Sequence, residues 1–202
     1  MFYRPQDGHG LPHNPFNAIV APRPIAWVST RSGDGHDNLA PYSFFNGVAY
    51  DPPQVMFSTT GSKPDRLRGK DTLGNIEQTG VFCVNVVEEE GMEPMNASSA
   101  AFPAGTDEFA AAKVTKAACK GIACSRVALA PAALECKLTQ VIKLKGAENY
   151  MVIGEVVGVH LRDDCLVDGK FDPARFGLVG RLGYRDYVVI RDYVEMQRPS
   201  DG

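Results

Sequence analysis

The chain consists mainly of short apolar runs separated by turn residues. Runs rich in β-branched and aromatic residues predict strands over 24–30, 39–49, 54–60 and 81–87. The sequence DPP at 51–53 separates the second strand from the third, because proline cannot donate to a sheet ladder and restricts the residue before it. The last of these runs, VFCVNVV, is apolar nearly throughout, so we expect both of its faces to be buried.

The later part of the chain has longer strands and few helices. Strands are predicted over 134–144 and 151–161, joined as a hairpin by KGAENY, and YVVIRDYVEM predicts a closing strand. A helix that Asp71 or Thr72 would cap is predicted to run to Thr79 and to stop at Gly80. A second helix is predicted over 92–101, and the alanine-rich segment 102–126 contains helix formers interrupted by proline and glycine.

This order of elements favours a mainly β fold. Many strands with few short helices are typical of a small barrel with helices attached, rather than of a βαβ array. At 202 residues the chain is long enough for one well-buried domain, and we find no internal repeat or linker. We therefore expect a single domain over 1–202. Its residues 1–22, which are rich in Pro, His, Asn and Gly, are expected to form an extended arm.

Composition narrows the classes of function. The net charge is -3 and no run of Lys or Arg lies along any predicted helix, so nothing indicates binding to nucleic acid. No apolar stretch approaches the roughly 20 residues of a spanning helix, and the polar N-terminus is unlike a secretory signal, so we expect no membrane association and a cytoplasmic protein.

Several common sites are not indicated. The sequence has no G-x-G-x-x-G, P-loop or G-x-S-x-G motif, and its four histidines show no metal-ligand spacing. The five cysteines form no tight C-x-x-C pair, so neither a disulfide framework nor a zinc site is expected. Cys119 and Cys124 share the segment KAACKGIACS, where a redox pair and plain packing both remain open.

Two blocks carry the chemistry that remains. NLAPYSFFNGVAYDPPQVMFS, over 38–58, places small, hydroxyl, amide and aromatic side chains together, which suits a planar ring with polar edges. KDTLGNI, over 70–76, places a lysine and a hydroxyl residue at the start of a predicted helix, where backbone N–H groups favour an anion. Together they indicate a phosphorylated aromatic cofactor, with FMN as the first candidate.

These blocks also carry a resemblance to a known family. With HGLPHNPFNAIVAPRPIAWVST and the closing RLGYRDYVVI, they resemble the flavin reductase-like proteins of the FMN-binding split-barrel fold, in the branch associated with flavoprotein oxygenases. The resemblance runs from about His9 to Met196. It implies a six-stranded antiparallel barrel of Greek-key type, a homodimer, and FMN near the subunit interface.

The resemblance implies a set of cofactor-binding positions. Arg23 and Pro24 correspond to the turn before the first barrel strand, and Ser58 corresponds to the end of the next strand. The segment along the flavin ring corresponds to Ser43, Phe44, Phe45 and Asn46. The phosphate segment corresponds to Lys70, Asp71 and Thr72. Because a carboxylate repels phosphate, the expected task of Asp71 is to cap the helix or to orient Lys70. His160 corresponds either to a nicotinamide contact or to an ordinary barrel or surface histidine, and Arg181, Tyr184 and Arg185 could close over the flavin or simply cap the barrel.

Each position also has an ordinary structural interpretation. Phe44 and Phe45 alternate along a strand, so one of them is expected to join the core. Asn46 with Gly47 is a turn signal, and Lys70 alone could be a solvated surface lysine. Ser43 could satisfy a local backbone group. The functional interpretation depends on finding these groups together beside one barrel strand.

The leading hypothesis is an FMN-dependent NAD(P)H:flavin oxidoreductase, with a nicotinamide as hydride donor, that could feed a separate partner oxygenase. Hydride transfer between the two rings needs orientation and exclusion of water and requires no protein nucleophile. The alternative is an FMN-binding electron carrier without nicotinamide oxidase activity. Pyridoxamine phosphate oxidation is a weaker third option, because no basic cluster for a second phosphate is found.

Overall fold

The computed structural model describes residues 1–61, 70–103 and 105–199. Its strands, numbered in chain order, are β1 Arg23–Pro24, β2 Ala26–Arg31, β3 Asp37–Tyr42, β4 Phe45–Tyr50, β5 Pro53–Thr60, β6 Val81–Asn85, β7 Lys116–Ala118, β8 Ser125–Val127, β9 Ala132–Lys143, β10 Asn149–Leu161, β11 Leu166–Val167, β12 Lys170–Phe171, β13 Leu178–Arg181 and β14 Tyr187–Ile190. Its α-helices are α1 Phe16–Ile19, α2 Asp71–Thr79, α3 Met92–Ala97 and α4 Glu108–Ala111. Short 3-10 turns lie at Pro5–Asp7, Glu89–Gly91 and Asp163–Cys165.

One antiparallel sheet of seven strands forms the body of the domain, in the order β3-β2-β6-β9-β10-β5-β4. Its two end strands, β3 and β4, are consecutive in the chain and are separated only by Ser43 and Phe44. β3 thus ends at Tyr42, which pairs with Ala26 of β2, and β4 begins at Phe45, which pairs with Phe57 of β5. Ser43 and Phe44 therefore form the corner that connects the two ends of the sheet, here called the seam.

The predicted single strand over 39–49 was wrong for this reason. It is two strands, one on each end of the sheet, and the sheet has seven strands where the resemblance implied six. Local composition does not distinguish them, because both halves contain strand-forming residues. The break is set by the partners, since β3 pairs with β2 and β4 pairs with β5.

The long hairpin was confirmed. β9 and β10 pair antiparallel from Tyr150↔Lys143 to Leu161↔Ala132, with register shifts next to Gly154 and Gly158. A Cβ at Gly154 would lie 2.4 Å from Phe82 Cζ, so a side chain there would collide with the barrel interior. Glycine is required at that bulge because the Phe82 ring occupies the space.

Two apolar layers enclose the sheet. The barrel interior contains Phe57, Phe82 and Val152, with Phe57 and Phe82 edge to face at 5.6 Å between ring centroids. On the other side of β2, Trp27 packs in a second cluster with Met95 of α3 and Phe109 of α4. The expectation that VFCVNVV is buried on both faces is confirmed, since Phe82, Cys83, Val84 and Asn85 are all buried.

Helix α2 has the predicted end but not the predicted start. It ends at Thr79, with Gly80 in the left-handed conformation (φ 71°). Lys70 is the N-cap residue, Asp71 and Thr72 are the first two helical residues, and no side chain caps the helix. The predicted capping by Asp71 or Thr72 was therefore wrong, because the helix begins one residue earlier than the pattern indicated.

The ends of the chain are less regular than predicted. The closing strand ends at Ile190, so the second half of YVVIRDYVEM is not part of it. Segment 102–126 contains only the four-residue α4 and part of the β7–β8 hairpin among its described residues. The arm over 1–22 contains one 3-10 turn and the four-residue α1. Within the described residues, no helix combines the length and the apolar character that crossing a bilayer requires.

Candidate functional site

The seam brings the ring-facing candidates beside β5. Ser58 N donates to Phe44 O at 2.8 Å, so the seam stays hydrogen-bonded to the strand that carries Ser58. Phe45 points into the core and packs against the barrel interior, whereas Phe44 lies against the Arg23 guanidinium at 5.8 Å. Of the two phenylalanines, one therefore joins the core, as the alternation predicted.

The start of α2 lies next to the same corner. Lys70 Nζ lies 5.6 Å from the centroid of the Tyr42 ring, at the end of β3. Backbone N–H groups in the first turn of a helix have no partner within the helix and point along its axis, so they favour an anion there. Lys70, Tyr42, Phe44 and Ser58 thus lie at or beside this corner, and we call them with Ser43 the seam site.

The hydroxyl of Thr72 is used inside the protein. Its Oγ1 donates to Asn38 Oδ1 at 2.8 Å, and the residue is 1% exposed. Asn38 in turn donates to the buried Glu108 at 2.9 Å, so Thr72 joins α2 to β3 and α4. Through its side chain, Thr72 holds the helix in place.

Two buried hydroxyls near the seam site lack hydrogen bonds. Tyr42 Oη and Thr59 Oγ1 are enclosed and make no hydrogen bond within the described residues. Burial raises the pKa of Tyr42 to about 12, so the phenol stays neutral. The sequence analysis missed Tyr42, although it belongs to the APYSFF segment that was singled out.

A cavity of about 350 Å³ opens beside the seam, lined in part by Arg23, Ser43, Asn96, Arg181 and Tyr184. Arg23 is buried, and its guanidinium donates to the backbone oxygens of Asn17, Val20 and Leu182. Burial and the nearby Arg181 lower the pKa of Arg23. Arg23 therefore joins the arm and the 182–186 loop to the wall of the cavity.

The loop between β13 and β14 forms the outer edge of this cavity. Arg181 Nη2 donates to Tyr184 O at 2.6 Å, and Tyr184 has a positive φ of 57°. Its half-exposed ring meets His13 of the arm edge to face at 5.7 Å. For a non-glycine residue this conformation is uncommon, and it presents the ring at the cavity mouth. Arg185, in the same loop, is exposed and does not line the cavity.

Three candidates lie apart from the seam site. Asn46 is exposed, and its Oδ1 accepts only from the neighbouring Gly47 N at 2.9 Å. Pro24 is exposed and pairs with Gly180. His160 Nε2 donates to Glu135 Oε1 at 2.5 Å and lines a different cavity, of about 330 Å³, with Lys120, Arg126 and Arg162.

A larger cavity, of about 620 Å³, lies elsewhere in the chain. Several of its charged side chains pair with one another: Arg162 pairs with Glu88 at 2.8 Å and Arg191 with Glu89 at 2.6 Å. By contrast, the charged residues that line the cavity beside the seam are Arg23 and Arg181. Size alone therefore does not identify the site.

The antiparallel barrel places the chain in the fold class of the split barrels. Within that class, the chain belongs to the flavin reductase-like family: residues 20–175 match the family model described as "Flavin reductase like domain". An uncharacterized protein from Deinococcus radiodurans is 40% identical over 190 residues, which cover 90% of this chain and 82% of that protein.

Two solved structures are similar over most of their length. Component B of nitrilotriacetate monooxygenase from Bacillus cereus has a TM-score of 0.83 and 27% identity, covering 94% of this chain and 100% of that one. The 2-nitrobenzoate 2-nitroreductase NbaA from Pseudomonas fluorescens has a TM-score of 0.79 and 32% identity, covering 92% of this chain and 89% of that one. The mainly β split-barrel fold is thereby shown.

Proposed function

We propose that this chain is an FMN-binding oxidoreductase that takes hydride from NADH or NADPH and passes reducing equivalents to a flavin. The observation that carries the proposal is the position of Lys70 at the start of the nine-residue helix α2, beside Tyr42 and one strand away from Ser58 and Phe44. A phosphate and an aromatic ring need these two environments at a short distance from each other.

The phosphate end is assigned to the start of α2. Lys70 supplies a charge-assisted hydrogen bond, and the first backbone N–H groups of the helix add donors and a favourable dipole. Thr72 contributes its backbone N–H, because its hydroxyl is buried on Asn38. Asp71 is placed in the first turn, where its carboxylate favours the helix dipole and helps to orient Lys70.

The ring end is assigned to the seam. Ser43 lies at the corner and lines the cavity, and the Phe44 ring is held in place by the Arg23 guanidinium, which lies over it. Ser58, on β5, flanks the corner through its hydrogen bond to Phe44. FMN itself would supply the redox chemistry, by accepting hydride and releasing electrons singly or in pairs.

The cavity beside Ser43 supplies room for a second ring. Its outer edge, with Arg181 and Tyr184, is positioned to exclude water once both rings are in place. Within one chain His160 lies in a separate cavity, so its contact with a nicotinamide stays a prediction. Pro24, Phe45 and Asn46 also stay predictions, because the described contacts assign them structural tasks.

The names of the similar structures suggest two kinds of acceptor. Component B of a monooxygenase suggests reduced flavin delivered to a partner oxygenase, whereas a nitroreductase suggests direct reduction of an organic substrate. The alternative function is an FMN-binding electron carrier without nicotinamide oxidation. It uses the same seam site, because none of the assigned residues is specific for a nicotinamide.

A homodimer is part of the proposal. Large apolar side chains remain exposed on two strands of the sheet: Val48 and Tyr50 on the end strand β4, and Val157, Val159 and Leu161 on the inner strand β10. Exposed apolar side chains grouped along a strand are candidates for an interaction surface. A second copy of the chain is the proposed occupant, and light scattering on the purified protein tests it.

The deciding experiment measures FMN binding and its reduction. We expect the purified protein to bind FMN, and NADH or NADPH to bleach its flavin absorbance without oxygen. Lys70→Ala removes a charge-assisted hydrogen bond of about 1.5–3 kcal/mol, which corresponds to a roughly 10- to 150-fold weaker Kd for FMN. The matched control is Lys145→Ala, at an exposed position in the β9–β10 loop.

The outcomes separate the two functions. If the protein binds FMN but neither NADH nor NADPH bleaches the flavin absorbance, the oxidoreductase is ruled out and the electron carrier is the function. If Lys70→Ala and Lys145→Ala bind FMN equally well, the phosphate does not lie at the start of α2. No affinity of the wild-type chain for FMN would overturn both functions.

A further inference from the structure

Three thiols meet outside the barrel, on the side opposite its interior. Cys83 of β6 and Cys124 are buried and pack together with Ala133 of β9, and the half-exposed Cys119 packs against them. All five cysteines are free thiols. The seam site uses none of these three residues, so their grouping needs a separate explanation.

Cys119 and Cys124 are direct neighbours across a hairpin. β7 and β8 pair through Ala118↔Ser125, and Cys119 N donates to Cys124 O at 3.1 Å, which continues the ladder by one more pair. Opposed residues of a hydrogen-bonded antiparallel pair have Cα atoms about 5.5 Å apart, which lies within the range of about 4.4–6.8 Å seen for disulfides. The backbone thus places Cys119 and Cys124 opposite each other at the end of the hairpin, where the usual spacing of opposed residues allows a disulfide.

We propose that Cys119 and Cys124 are a reversible redox pair, which a peroxide oxidises to an intramolecular disulfide. The Cys119 thiolate attacks one oxygen of hydrogen peroxide, which gives Cys119 sulfenic acid and hydroxide, and the hydroxide takes a proton from solvent. The Cys124 sulfur then displaces the hydroxyl group, which leaves as water with the Cys124 proton. A dithiol reductant returns both thiols and is itself oxidised.

The surroundings give the two thiols different tasks. Cys119 is the one that solvent reaches, and Cys124 is enclosed, with its Sγ directed at Ser29 O at 3.4 Å. Hydrogen bonds from the Cys124 and Cys83 thiols lower the pKa of Cys119, and the nearby His160 adds to this effect. The same hydrogen bond and burial raise the pKa of Cys124. Cys119 is thus the attacking thiolate and Cys124 the proton-bearing partner.

The loop that joins the two cysteines is held in place without being rigidly packed. Glu135 accepts from Lys120 N and Gly121 N, each at 2.6 Å, and also meets His160 at 2.5 Å. These bonds fix the loop at its Cys119 end. Cys83 also lies against Cys119, but it is fully buried in the central strand β6 and is not opposed to Cys119 across the hairpin as Cys124 is.

The test uses the intact protein and tryptic mapping. After treatment with hydrogen peroxide, the protein is expected to lose about 2 Da, and dithiothreitol is expected to restore the mass. Trypsin cleaves after Lys116, Lys120 and Arg126, so without reductant the peptides AACK and GIACSR should be found as one linked species. A link from Cys119 to Cys83, or no loss of mass, would overturn the proposal.

Variants identify the order of events. In Cys124→Ser the reaction is expected to stop at sulfenic acid, seen as a gain of about 16 Da that dimedone traps at Cys119. In Cys119→Ser the loss of mass should disappear. Cys165→Ser changes a fully buried cysteine outside the cluster, and it should oxidise like the wild type. If a variant does not fold, the wild-type peptide map alone decides.

Discussion

Replacing Thr72 with valine separates the structural task of its side chain from the cofactor task of its backbone. Valine keeps the shape but removes the hydroxyl that donates to Asn38 Oδ1 at 2.8 Å. Asn38 Oδ1 keeps a longer bond from Thr30 Oγ1, at 3.3 Å, so the acceptor is not left without a partner. The cost is therefore that of one ordinary buried hydrogen bond, about 1 kcal/mol.

For a chain of this length, about 1 kcal/mol lowers Tm by roughly 2–4 °C. Urea unfolding of the wild type and of Thr72→Val should show the same m value and a lower midpoint for the variant. The control is Thr115→Val, whose side chain is exposed. It should change neither quantity.

Titration with FMN completes this test. Because the backbone N–H of Thr72 survives the substitution, the Kd for FMN should change less than about twofold. The reasoning is refuted if Thr72→Val binds FMN more than about tenfold more weakly while its free energy of unfolding is unchanged. That result would place the hydroxyl itself on the cofactor.

Two further predictions concern stability. Gly154→Ala should destabilise the fold by about 1–3 kcal/mol in urea unfolding, because its Cβ would lie 2.4 Å from Phe82 Cζ. The control Gly74→Ala lies on the exposed face of α2 with nothing within 4 Å of its Cβ, and it should stabilise the fold by up to about 1 kcal/mol. Equal effects of the two substitutions would mean that the bulge at Gly154 can open to accept a side chain. Burial opposes ionisation of Asp37, but hydrogen bonds from Arg31, Lys116 and Ser125 outweigh it and lower its pKa. Its contribution is therefore present above the unfolded pKa of about 3.9 and is lost as the pH falls through the lower folded value, so the stability gap between wild type and Asp37→Asn should narrow from pH 6 to pH 3. A gap that stays constant over this range would show that the ionised carboxylate contributes nothing.

The sequence was sufficient where the signal is local. The β9–β10 hairpin and the end of α2 at Gly80 each depend on a run of residues and its own turn chemistry. The strand predicted over 24–30 is divided instead, because Arg23–Pro24 pairs with β13 in another sheet and β2 begins at Ala26. The strand over 39–49 failed because the break at Ser43 depends on which strands β3 and β4 pair with, and those partners are distant in sequence. The capping of α2 failed by one residue, which is within the usual uncertainty of a helix boundary.

The candidate site shows the same division. Lys70, Ser43, Phe44 and Ser58 were named from their motifs and the family resemblance, and they lie at or beside the seam in the fold. The task of Thr72 could not be read from KDTLGNI, because its partner Asn38 comes from another strand. Arg23 likewise finds its partners in the arm and in the 182–186 loop, and only the folded chain reveals them.

The missed break and the proposed site are the same feature of the molecule. In a continuous strand the backbone groups alternate between two ladders and are mostly satisfied within the sheet. At Ser43 and Phe44 the chain has left the ladder with β2, and the hydrogen bond from Ser58 N to Phe44 O begins its contact with β5, so the corner lies between the two ladders. A barrel closed by one uninterrupted strand would present no such corner. The local failure of the strand pattern therefore coincides with the position at which we propose that the fold holds a flat ligand.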